Sequence, residues 1–178
     1  DRTLQGKNWE EQILGLNKNN AVMTTDSDLI SLIRDLDSKK KMYNENKRLI
    51  ETNEKKRILD EITGTREPWR AENLDAYFFN INGQWYKETD HRVKDGIIKA
   101  TSVYEMQPLM QDGCTSPKYF DDHKMFTTLK GKEFNYIHPK DKSVAGFNAD
   151  SVRARLLCNR DPTNSNGALG VRAKFLSL

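Results

Sequence analysis

The chain has 178 residues, 36% of them hydrophobic and 31% charged, a composition that fits one domain or one domain with a helical extension. No apolar run approaches the roughly 18 residues that a spanning helix needs, and a net charge of +3 is too small to point to nucleic acid. The charge is uneven: residues 1–75 hold 14 Lys/Arg against 15 Asp/Glu, and residues 76–178 hold 15 against 11.

The first block reads as a helix. In "NWEEQILGL" Asn8 stands three residues before Glu11, a capping-box spacing, and Trp9, Ile13 and Leu16 recur at helical intervals. The next block opens on Thr25, Asp26, Ser27 and Asp28, residues that cap a helix and suit its positive end. Leu29, Ile33, Leu36, Tyr43 and Ile50 then follow at steps of four, three, seven and seven, and Ile58 and Ile62 extend the series before Gly64 and Pro68 stop it. This pattern predicts one helix of about 35 residues, on the order of 50 Å long, whose polar back half protrudes or meets a partner.

After Pro68 the periodicity changes. Asn82-Gly83 between two aromatic runs in "AYFFNINGQWYKE" is a strong hairpin signal. "GIIKATSVYEM" reads as another strand, "KMFTTLKGKEFNYI" as a second hairpin turning near Lys130-Gly131, and residues 107–122 as a loop. "DSVRARLLCN" and "LGVRAKFLS" read as two final strands, joined by Asp161-Pro162 and Asn166-Gly167 turn chemistry. The expected fold class is therefore α+β: a long N-terminal helix packed on an antiparallel β-sheet of about five to seven strands. A helical region over 1–67 and a sheet region over 68–178 would form one globular unit.

Strand alternation assigns the faces of the last two strands. Val152, Ala154, Leu156 and Cys158 share one side and Leu169, Val171, Ala173 and Phe175 another, with Arg153, Arg155, Arg172 and Lys174 turned the opposite way. If the two strands pair, these four cations form a basic patch for an acidic protein surface, an anionic lipid head group or a polyanion. The competing reading is an ordinary solvated face, or one covered by acids of the long helix.

Cys158 closes an apolar row, a poor setting for a thiolate nucleophile. Two cysteines 44 positions apart and three scattered histidines lack zinc-site spacing. The remaining choices are two unrelated thiols or a Cys114–Cys158 disulfide that ties the "QDGCTSP" loop to the sheet and contributes roughly 4 kcal/mol. The bridge is the expectation, and with a chain that begins at Asp1 rather than Met it suggests an extracytoplasmic setting, periplasmic, surface-bound or secreted, with a tag, a signal peptide or a membrane anchor upstream.

The aromatic stretch from Tyr77 to Tyr86 is either one buried face of a core hairpin or a surface platform. Asp90-His91 and Asp121-Asp122-His123 put acids beside histidine, but no hydrolase, nucleotide-binding or EF-hand motif accompanies them, so no catalytic residue, metal ligand or cofactor is assigned. The arrangement is similar to type IV pilin-like subunits and to some extracytoplasmic sensor domains, an analogy of architecture alone. The function expected is a non-enzymatic protein-interaction domain in envelope assembly or signalling. The alternatives are a sensor with an aromatic small-molecule pocket, and a metal-dependent hydrolase using His91, His123 or His138.

Overall fold

The computed structural model describes residues 4–44, 46–64, 71–122, 125–149 and 153–175. The described residues form three short helices, and the second and third of them stand where one long helix was expected. The three are α1 (Trp9–Lys18), α2 (Asp26–Asp37) and α3 (Thr52–Thr63). Asn8 and Glu11 complete a capping box at α1, and Thr25 and Asp28 complete another at α2. These reciprocal bonds satisfy amide groups that a helix start leaves open.

The expected continuation through Tyr43 fails for a local reason. Leu29, Ile33 and Leu36 do line the buried side of α2, but the helix ends at Asp37, and Tyr43 is 60% exposed. Lys47 adopts a positive φ, and Tyr43 bridges Leu49 in a small turn. A second cause is Lys55 on α3, whose ammonium donates to the carbonyls of Ser38 (2.6 Å) and Lys40 (3.1 Å). It holds α3 back against α2 and serves carbonyls that the ended helix no longer occupies.

The strands are β1 (Ala21–Met23), β2 (Ala71–Ile81), β3 (Gln84–Thr89), β4 (Arg92–Lys94), β5 (Ile97–Lys99), β6 (Ser102–Met106) and β7 (Gly113–Thr115). They continue with β8 (Phe120–Asp121), β9 (Met125–Phe126), β10 (Phe134–Ile137), β11 (Ser143–Ala149), β12 (Ala154–Arg160), β13 (Leu169–Val171) and β14 (Ala173–Phe175). The main sheet is eight-stranded, curled and mixed, with the order β6-β3-β2-β11-β12-β10-β7 and β13 alongside β2. Two of its pairings, β10 with β12 and β13 with β2, are parallel. The expectation of a long helix on an antiparallel sheet is therefore corrected, and the pilin-like analogy, which rested on that helix, lapses.

The β2–β3 hairpin is as expected, with Asn82 and Gly83 both at positive φ. The strand read in "DSVRARLLCN" is found as β12, and other local readings change. "GIIKATSVYEM" splits into β5 and β6, which belong to different sheets, and the expected second hairpin is divided between β9, paired with β8, and β10, paired with β7 and β12. Residues 107–122 contain β7, a 3-10 turn at Pro117–Tyr119 and β8 rather than a plain loop.

Each face of the sheet packs a helical layer. On one side Leu29, Ile30, Ile33 and Ile62 from α2 and α3 meet Leu74, Phe78, Tyr136, Phe147, Leu156 and Cys158. On the other, Trp9, Ile13 and Leu16 of α1 meet Ala21, Met23, Val144 and Val171. The helices and the sheet thus share their cores; the expected division at residue 67 lies outside the described residues.

Candidate functional site

At the end of the sheet near the start of β12, the C-terminus of α2, the inner side of α3 and the 3-10 turn leave an open groove of about 710 Å³. Its floor includes Ile33, Leu59, Phe134 and Ala154, and its rim carries Arg34, Lys118, Lys132 and Arg153 against Asp37 and Glu133. Ala154 and Leu156 lie on the buried side of β12, and Arg153, the residue just before the strand, also borders the groove.

The rim is organised by the backbone. Arg34 donates to the carbonyls of Pro117 (3.1 Å) and Phe120 (3.2 Å), clamping the 3-10 turn to α2. Glu133 accepts from the Lys132 backbone amide at 2.9 Å, and this bond, with the Ser116 side chain and the Lys118 charge, holds its carboxyl below the ordinary range. Gly131, at φ +136, lets the loop pass, because a Cβ there would stand 2.7 Å from the Thr115 carbonyl. Arg153 also donates to the Cys114 thiol, which in turn faces Asn135.

The four expected cations do not form one patch. β12 lies between β10 and β11, whereas β13 pairs with β2 and β14 with β1. Arg172 is bound to Glu72 through two bonds of 2.9 and 3.2 Å, and Lys174 to Asp28 at 3.0 and 3.3 Å. Only Arg153 reaches the groove; Arg155 sits further along the outer face, level with Asn135 and Asn148.

The disulfide is also corrected. Cys114 and Cys158 are free thiols. Cys114 stands opposite Asn135, itself level with Arg155, so the cysteines are two strands apart and three residues out of register. At about 4.8 Å per strand and 3.3 Å per residue that offset is beyond the roughly 7 Å reach of a bridge. Parity also puts them on opposite faces, since Cys158 is in the core, where burial pushes its thiol well up.

Two polar pairs are buried elsewhere. Lys87 reaches Asp26 across the main core, at 3.3 Å to Oδ1 and 3.2 Å to Oδ2. Burial there raises the Asp26 carboxyl despite the opposing pull of Lys87. Under α1, Asp75 accepts from both the backbone N–H and Nδ1 of His91, and the Trp9 ring stands edge-on to the imidazole. His138 is bonded instead to Asp112 near the surface, and His123 lies outside the described residues. Among the described residues no three His, Cys, Asp or Glu side chains converge to hold a metal ion.

Sequence reasoning missed Lys87, although its place between Trp85 and Thr89 on the inward side of β3 was a usable signal. It also missed Arg34, Lys118 and Lys132, for which no local signal exists, because the groove is assembled from distant segments. The aromatic stretch divides: Phe78 enters the core, while Trp9, Tyr77, Phe79 and Tyr86 form a ladder on the opposite face, with neighbouring ring centroids 5.2 to 6.1 Å apart.

Compared with protein-family models, curated proteins and solved structures, the chain matches none.

Proposed function

We propose that this chain is a protein-interaction domain that seats an acidic segment of a partner in the groove between α2, α3 and the start of β12. The observation that carries this reading is the lining: four cations face two carboxylates above an apolar floor. A peptide with acidic residues flanking one apolar anchor satisfies both parts, with the charges setting encounter and register. The reading keeps the expected class of partner and moves the site from the paired-strand patch to Arg153 and its new neighbours. An extracytoplasmic setting stays a proposal, now without the bridge that motivated it. The expected aromatic pocket of a small-molecule sensor is not what this lining offers, since its rim is charged.

The test is titration of a fluorescent oligo-glutamate peptide carrying one leucine. Binding should weaken with added salt. Charge reversal at Lys132→Glu with Arg153→Glu should cost about tenfold or more in Kd, while Arg155→Ala should leave Kd unchanged. Binding that survives the double reversal would overturn the assignment.

A further inference from the structure

We propose that Lys87 and Asp26 are the partners of an intramolecular isopeptide cross-link, a self-catalysed amide that ties the first turn of α2 to the middle of β3.

The geometry around the pair motivates this. Lys87 is 1% exposed and Asp26 0%, so both are outside the reach of bulk water. An ammonium and a carboxylate that merely pair close to about 2.7–2.9 Å; here the nitrogen stands 3.3 and 3.2 Å from the two oxygens. Near-equal distances place it astride the carboxylate, on the plane that bisects the two oxygens and contains the carboxyl carbon. An ammonium has three donors, yet beyond Asp26 Lys87 meets only the Met125 sulfur at 3.9 Å and the rings of Tyr104 and Phe120 at 5.7 and 5.8 Å, among the described residues. Charge separation in so dry a site is costly, and the upward push on the Asp26 carboxyl runs the same way. Among the other titratable groups, the Asp122 charge acts on Asp26, and the pair in turn acts on Cys158 and Tyr136.

The reaction balances without an oxidant or co-reactant. A proton passes from the Lys87 ammonium to the Asp26 carboxylate, leaving amine and acid. The Nζ lone pair attacks the carboxyl carbon, the carbon–nitrogen bond forms, and one carbon–oxygen bond breaks. The departing oxygen leaves with two of the three original ammonium protons as one water. Holding the two groups side by side supplies much of what an intermolecular condensation lacks, and the closed core keeps water from reversing the reaction.

Intact-mass spectrometry of the full chain, incubated folded and then denatured, tests the proposal. The chain should weigh one water less than its sequence, and digestion should release a branched peptide joining the Asp26 and Lys87 segments. Lys87→Arg and Asp26→Ala should each restore the full sequence mass, a readout that does not require either variant to fold. A wild-type chain at full sequence mass would overturn the proposal. So would a water loss that persists in Lys87→Arg, as cyclisation at Asp95-Gly96 or Asp112-Gly113 would produce.

Discussion

The guanidinium of Arg160 lies across Gly146, the neighbouring glycine of β11, so closely that a Cβ on Gly146 would stand 2.1 Å from Arg160 Cδ. The register between β11 and its neighbours shifts at this point, between Val144 and Gly146. Burial lowers the Arg160 pKa, and its Nε is enclosed without a hydrogen-bond partner among the described residues. The glycine therefore makes room for a long side chain that would otherwise have to leave the sheet. Gly146→Ala should destabilise the fold by about 1–3 kcal/mol, and Arg160→Ala should recover part of that loss. A double-mutant cycle in urea checks the coupling, and strict additivity would refute it.

Cys158 sits at the centre of the main core, with its thiol raised by burial. In the native protein Cys158 should resist Ellman's reagent while Cys114 reacts, and unreduced, denatured protein should titrate as two thiols. Cys158→Ser should cost about 1–3 kcal/mol, because the hydroxyl would be buried where the sulfur now packs.

Lys55 closes the turn between α2 and α3 through two carbonyls, although it is itself largely buried. Lys55→Met keeps the aliphatic stem and removes the donor. Loss of these charge-assisted bonds should cost about 1.5–3 kcal/mol, and hydrogen exchange should accelerate first in α3.

Asp112 supplies the pH-dependent prediction. The backbone amide of His138, followed by its imidazole, holds the Asp112 carboxyl below its ordinary 3.8. A depressed folded pKa means that the stabilising contribution is present above the unfolded value and disappears as pH falls through the folded one. An NMR titration of the Asp112 side-chain carboxyl carbon should therefore show a midpoint below 3.8. In Asp112→Asn the acid-side loss assigned to this group should vanish; a wild-type midpoint at or above the ordinary value would contradict the argument.

What could be read from the sequence was local. Asn8 with Glu11, and Asn82 with Gly83, act within a few residues, and both did what their chemistry dictates. Leu29, Ile33 and Leu36 likewise mark a true helical face. The misreading began at Tyr43 and Ile50, where the steps of seven had only Lys39, Lys40, Asn46 and Lys47 at the intervening helical positions and so could not distinguish one helix from two. The parallel pairings were hidden for a different reason: nothing near Leu169 indicates that it will lie beside Ala71. The same topology scattered the four cations, since Arg172 and Lys174 are drawn to Glu72 and Asp28 on other elements. Of the groove's four cations, only Arg153 was singled out from the sequence.

The parallel pairing of β13 with the first residues of β2 also sets an order of events. Ala71, Glu72 and Asn73 receive Leu169, Gly170 and Val171 along one side, so that flank of a central strand stays unzipped until a segment nearly a hundred residues downstream has been made. Such distant pairing slows folding. During synthesis on a ribosome, this molecule would wait with its middle strand half-dressed, and that interval is when a chaperone would matter most.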